Sequence, residues 1–149
     1  MRESILVVYA LARSYGMAPK SILINCLEFI PLKHRNQEVD VIDGIAFIND
    51  SKSTNVDATR HALKFYKNVH LILGGQAKEN NFDQLQEGME NVSRIYSMGE
   101  AASLIARSFQ GHKLEQFMTL DKALDKAIVI LRKEIQFYFH QLALVLIST

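Results

Sequence analysis

The sequence predicts an α/β protein, a mostly parallel sheet with helices on both faces, preceded by a helical hairpin. Three observations predict it. Helix-period segments alternate with short apolar runs over most of the chain. The run VHLIL (residues 69–73) is compact, apolar and closed by Gly74-Gly75, as a central parallel strand is. The first 27 residues instead hold two helix-period stretches separated by Gly16 and Pro19.

The elements follow in order. Residues 2–15 place Ile5, Val8, Tyr9 and Ala12 on one helical face, with Gly16 as the stop. Pro19 suits the first turn of a second helix whose apolar side carries Ile22, Leu23 and Leu27. Residues 30–36 (IPLKHRN) form a polar connection, dividing a helical hairpin (residues 1–30) from an α/β domain (residues 36–149). Residues 38–42 and 45–48 are short strands joined by Asp43-Gly44, a dipeptide suited to a tight hairpin turn. Helical spacing returns at 55–66, and after the 69–73 strand a short helix is expected at 82–89. Then come a strand at 93–98, a helix at 99–109 and a short strand at 113–117. The clearest helix is 119–134, with Leu120, Leu124, Ala127, Ile128 and Leu131 as its buried stripe. Its charges suit the helix dipole, with Asp121 and Asp125 early and Arg132 and Lys133 late. Residues 142–147 are the last strand.

Composition narrows the function classes. Of 149 residues, 17 are basic and 16 acidic, a formal charge of +1, which offers no bulk attraction to nucleic acid or a membrane surface. With 48% hydrophobic and 22% charged residues the chain is of the globular kind and not disordered. Cys26 is the single cysteine, which excludes a disulfide framework and a multi-cysteine zinc site and suits a reducing, cytoplasmic setting. The apolar middle of residues 1–16 carries Glu3 and Arg13 and lacks a small-residue cleavage site, so it is read as a helix and not a leader. Residues 135–147 (IQFYFHQLALVLI) are too short, and too interrupted by Gln136, His140 and Gln141, to span a membrane.

Parallel sheets bind ligands beyond the C-terminal ends of their strands, which directs attention to the loops after Ile48 and after Leu73. In residues 47–59 (FINDSKSTNVDAT), Asn49 and Asp50 stand at the mouth of a strand, and Thr54 with Asp57 matches a capping box. Free N–H groups at a helix start, reinforced by Lys52, suit an anionic group; Asp50 suits ribose hydroxyls or a metal. A well-capped turn with a solvated lysine accounts for the same residues. In residues 73–82 (LGGQAKENNF) the glycines allow close backbone approach and Lys78 suits phosphate or carboxylate, although an ordinary glycine turn reads the same way. A phosphate-binding loop of the form GxxxxGK(S/T) is absent. In the hinge, LKHR (residues 32–35) offers Arg35 for a bidentate grip on phosphate and His34 to orient it or carry a proton, with a solvated basic loop as the alternative. His61, His70, His112 and His140 lack ligand spacing and read as structural, and no residue is assigned as a catalytic group or a metal ligand.

Taken in order, LKHR, INDSKSTNVDAT and LILGGQAKENNF resemble the C-terminal, amino-acid-binding domain of the Mur ligases, and among these the members that add D-glutamate. That family's pattern runs LPHR, a strand pair, NDSKATN, a helix, then LILGG with a lysine shortly after. The match is most specific between Lys33 and Phe82, and the hairpin resembles the end of the family's central ATP-binding domain. The resemblance implies a Rossmann-like domain and a cytoplasmic reaction of peptidoglycan synthesis that uses ATP and Mg2+. A UDP-sugar-peptide carboxylate is phosphorylated, and the amine of D-glutamate attacks the acyl phosphate; positioning and charge neutralisation carry the chemistry. It further implies that Arg35 contacts ATP phosphate and Asp50 the ribose, that Lys52 and Thr54 lie on the amino-acid side, and that Lys78 engages the D-glutamate carboxylate.

This sequence departs from the pattern in several ways. Lys33 stands where the family has proline, Ala77 and Glu79 replace the glycines beside Lys78, and the charge of Glu79 opposes an anion there. The UDP-sugar domain and the phosphate-binding loop with its magnesium ligands find no counterpart. The expectation is therefore a shortened ligase that does not ligate alone and works with separately encoded N-terminal and central domains. A non-enzymatic nucleotide- or dicarboxylate-binding module, or an inert remnant, is the alternative. A sheet lacking whatever normally follows its last strand is expected to expose apolar surface and self-associate. The physical core of this reading is two cationic loops at neighbouring strand tips gripping one anion.

Overall fold

The computed structural model describes residues 2–30, 32–53, 56–75, 82–134 and 142–148. They fall into two compact units, Met1–Pro31 and Leu32–Thr149. In the first, helices α1 (Arg2–Ser14) and α2 (Pro19–Glu28) form a hairpin. Gly16 turns the chain at φ 83°, and the Arg13 guanidinium caps the turn by donating to the Met17 carbonyl at 2.8 Å. Pro19 opens α2, where its missing N–H costs no helical bond. Of the three apolar residues expected on α2, Ile22 is buried, whereas Leu23 and Leu27 are exposed.

The second unit is a six-stranded sheet in the order β1-β2-β6-β3-β4-β5. Its strands are β1 (Gln37–Ile42), β2 (Ile45–Asp50), β3 (Val69–Gly74), β4 (Val92–Met98), β5 (Leu114–Phe117) and β6 (Leu142–Ser148). Only the β1–β2 pair is antiparallel. Its turn has Asp43 at φ 53° and Gly44 at φ 81°, the two left-handed residues that a tight hairpin requires. Every residue of β3 is buried, which accounts for its unbroken apolar run. The last strand, β6, runs parallel between β2 and β3 and is flanked on both sides, so the sheet edges are β1 and β5.

Alternation along the strands sorts the core onto two faces. Val69, Leu71 and Leu73 of β3 pack with Val56 and Leu63 of α3 (Val56–Leu63) and with Ile105 of α4 (Ala102–Ser108). Ile72 and Tyr96 pack on the other face with Ala123, Ala127 and Leu131 of α5 (Leu120–Glu134). The buried stripe of α5 thus runs through Ala123, and Leu120, expected inside, is 37% exposed. Two alanines in the contact line let the helix lie close to the sheet, and its first turn extends past that contact. The short helix expected at 82–89 is instead two 3-10 turns, Asp83–Gln86 and Met89–Asn91. Gly88 separates them at φ 112°, a conformation that ends any helix.

His70 is fully buried on the α5 face. The Tyr96 hydroxyl donates to Nδ1 across 2.9 Å, and Nε2 donates to the Glu134 carboxylate across 2.8 Å, tying the end of α5 to the middle of the sheet. Burial holds His70 below the usual imidazole range, against the opposing pull of Glu134. The folded protein thus keeps His70 neutral where the unfolded chain takes up a proton near the ordinary imidazole pKa of about 6.5. Stability is therefore full above that value and declines as pH falls towards the folded pKa. Urea unfolding of the chain should show a falling midpoint between about pH 7.5 and about pH 5.5. The fall should be shallower in His70→Gln; parallel falls in the two proteins would contradict this account.

Candidate functional site

The topology brings the hinge to the C-terminal edge of the parallel strands. Because β1 is antiparallel to β2, with Gln37 opposite Asn49, the segment entering β1 arrives where β2 ends. The loops after β2 and after β3 leave the sheet from that same edge. Asp50 and Leu73 both register with Ile147 of β6, so these strand ends are level and roughly 10 Å apart, two strand spacings. The ends of β2 and β3 therefore flank β6 and are not neighbouring strand tips, because the last strand inserts between them.

Asp50 is the centre of the described site. Its carboxylate is 4% exposed and accepts two hydrogen bonds, from the Asn36 backbone N–H (2.7 Å) and the Ser53 hydroxyl (2.6 Å). Its carbonyl accepts the Ser53 N–H at 2.9 Å, closing a compact turn over Lys52. The Lys52 N–H in turn donates to the His34 carbonyl at 3.0 Å. Two further bonds fix His34, one from its N–H to Gln37 Oε1 (2.9 Å) and one from Asn49 Nδ2 to its ring Nδ1 (3.0 Å). With Nδ1 accepting, the ring proton sits on Nε2, and His34 serves as a brace of the turn.

These bonds hold a turn that the backbone alone disfavours. His34 has φ 66° and Asn36 φ 46°, left-handed values that cost residues with a Cβ about 1–2 kcal/mol each. Several hydrogen bonds of about 1 kcal/mol net, two of them to the Asp50 carboxylate, offset that cost. The result places Arg35 and Lys52 on adjoining backbone. Both side chains are exposed, and among the described residues neither pairs with an acidic group. Such an edge can receive an anion. Thr54 and Lys78, the other two expected site residues, lie outside the described residues.

The start of the second loop has a packing explanation. A Cβ on Gly74 would lie 2.1 Å from the Met98 carbonyl oxygen, and one on Gly99 (φ 68°) would lie 3.1 Å from the Gly75 oxygen. The Gly75 N–H donates to Met98 and the Ala101 N–H to Gly75, at 3.4 and 3.2 Å, joining the tips of β3 and β4. A separate apolar cleft of about 170 Å³ lies below the start of α5, lined by Val39, Phe47, Ile72, Leu120 and Leu124 among others; neither Arg35 nor Lys52 borders it. Among the described residues no group of three His, Cys, Asp or Glu side chains could hold a metal ion, and no helix is long and apolar enough to cross a membrane.

Four participants escaped the sequence: Asn36, Gln37, Ser53 and Tyr66. Ser53, three residues after Asp50, carried a readable signal, since Asp-x-x-Ser is a spacing that closes on itself by hydrogen bonding. Asn36 and Tyr66 carried none, because the bond from the Tyr66 hydroxyl to Asn36 Oδ1 (2.8 Å) spans 30 residues.

A mostly parallel sheet of this order, packed between helices on its two faces, defines an α/β domain of the Rossmann-like class. Residues 34–146 match the family model described as "Mur ligase, glutamate ligase domain", and the chain belongs to that family. It is 40% identical over 121 residues to the UDP-N-acetylmuramoylalanine--D-glutamate ligase of Paramagnetospirillum magneticum, covering 80% of this chain and 26% of the relative. The ligase of the same name from Rhodospirillum rubrum is 39% identical over 120 residues, covering 80% and 25%. The chain thus spans about a quarter of the length of these relatives. Among solved structures it superposes on MurF from Acinetobacter baumannii with a TM-score of 0.65 at 20% identity, covering 95% of this chain and 32% of that one. The folylpolyglutamate synthase of Mycobacterium tuberculosis, complexed with ADP and AMPPCP, gives 0.69 at 10% identity, covering 95% and 35%. These two likenesses establish the shared fold.

The close approach at the strand tips is directly testable. Gly74→Ala forces a methyl group into the Met98 carbonyl, and thermal or urea unfolding should show a loss of about 1–3 kcal/mol. An unchanged midpoint would mean that the β3–β4 tips part freely and that the glycine serves another purpose.

Proposed function

We propose that this chain supplies the amino-acid-binding side of an ATP-dependent ligase that joins D-glutamate to the carboxylate of a UDP-sugar-peptide in the cytoplasm. The observation that carries the reading is the hydrogen bond from Lys52 N–H to the His34 carbonyl. It brings the backbones of two cationic residues together at the strand mouth, neither of them paired with an acidic group among the described residues, in a chain 40% identical to a D-glutamate ligase. Arg35 takes the nucleotide phosphate, for which a planar guanidinium is suited. Asp50 meets the ribose through the carboxylate lone pairs that Asn36 and Ser53 leave unused, after a local opening of its loop. Lys52 and Thr54 face the amino acid, and Lys78 attracts its carboxylate.

ATP with Mg2+ would supply the phosphoryl group that activates the acid. The part of this chain is to orient the nucleotide and to hold the incoming amine against the activated carboxyl, so that attack is effectively unimolecular. Concentrated positive charge also lowers the cost of bringing several anions together. The sugar-nucleotide site and the phosphoryl-transfer machinery belong, on this reading, to the portions of the ligase that this chain does not span. The hairpin of α1 and α2 corresponds to the end of the central ATP-binding domain.

Calorimetric titration with ADP and with D-glutamate tests the proposal. The wild-type chain should bind ADP, and Arg35→Ala should weaken it by about 10- to 100-fold, the worth of a hydrogen bond to a charged group. Lys52→Ala should weaken D-glutamate similarly. A coupled assay on the chain alone should show no ligation. Absence of binding by the wild type would leave the inert-remnant reading standing instead.

A further inference from the structure

We infer that Tyr66 and Asn36 are positioning residues for the Arg35–Lys52 edge, acting through the left-handed hinge turn. The inference rests on the reading of that edge as an anion site and adds to it two residues that no motif marks.

Asn36 is held from two directions. Its backbone N–H donates to Asp50 at the end of β2, and its side-chain oxygen accepts the Tyr66 hydroxyl at 2.8 Å. Tyr66 lies in the turn three residues beyond the end of α3 and packs against the main core, with its own N–H donating to the Leu63 carbonyl at 3.4 Å. The α3 helix is itself the continuation of the loop that carries Lys52. The Tyr66–Asn36 bond therefore closes a ring that runs from the hinge through the Asp50 turn and α3 back to the hinge. Closure matters because φ 46° at Asn36 is a conformation that this residue type adopts at a cost, and a residue free to relax would swing Arg35 away. A ring anchored on a side chain that packs against the core removes that freedom.

The charges around the hydroxyl favour the same arrangement. Burial first, then the carboxylates of Glu38 and Asp50, push the Tyr66 hydroxyl above its ordinary range against the opposing pull of the Asn36 hydrogen bond, so it stays protonated as a donor. Arg35 and Lys52 then reach a ligand from fixed backbone positions, so that only their side chains remain to be ordered on binding.

Amide hydrogen exchange and ADP titration on the 149-residue chain test this. Tyr66→Phe keeps the ring and removes only the hydroxyl. It should speed exchange of the Asn36 and Lys52 amides by about three- to tenfold, leave the Ala101 amide at the β3–β4 tip unchanged, and weaken ADP by a similar factor. Asn36→Gly accepts a positive φ without strain and has no side chain for Tyr66 to hold. In that background Tyr66→Phe should change neither readout. The inference is overturned if Tyr66→Phe alters neither amide, if exchange rises uniformly through the sheet, or if the loss is the same in the Asn36→Gly background. ADP affinity unchanged by Tyr66→Phe would also overturn it. Should the wild type bind no ADP, the anion-site reading falls, and the exchange measurements still decide whether Tyr66 holds the turn.

Discussion

The buried carboxylate of Asp50 is the constraint on which the rest of the site depends. A charge that is 4% exposed is costly unless it is paired or hydrogen-bonded, and here the donors are a backbone N–H of the hinge and the Ser53 hydroxyl. Satisfying one carboxylate therefore joins two segments distant in sequence and fixes the direction in which each leaves the sheet. The His34 and Asn36 backbones accept unfavourable dihedral angles as part of that arrangement. Arg35 and Lys52 need no direct contact with one another to be brought together; their neighbours do it for them.

Much of this was legible in the residues. Asp43-Gly44 specified the hairpin turn, Pro19 the start of α2 and the VHLIL run the central strand, because each is fixed by chemistry within a few positions. The placement of β6 between β2 and β3 was not, since a parallel register depends on the whole sheet closing around it. The same holds for His70, whose spacing marked it as structural but whose partner Glu134 is 64 residues away. In the site, the motif residues Arg35, Asp50 and Lys52 announced themselves, whereas Tyr66 and Asn36 did so only through a contact across the fold. Gly88 shows the opposite failure: a local signal was present, but apolar spacing around it suggested a continuous helix.

Membership of the Mur ligase family and the physics of the site meet at the same few residues. The family match covers residues 34–146, and the braced hinge lies at its beginning. The glycines at the tips of β3 and β4 serve to let two backbones approach, so their presence alone says little about ligand. The cations at the end of β2 are different, because the structure spends several hydrogen bonds on presenting them and leaves them without an acidic partner among the described residues.

The most direct test of the central claim is the effect of Asp50→Ala on the backbone amide spectrum of the chain. If one carboxylate holds both segments, amide shifts should move at residues 33–37 as well as at 51–53, with the Gly75–Ala101 contact undisturbed. Changes confined to residues 49–53 would mean that the hinge keeps its turn without Asp50, and would contradict the account.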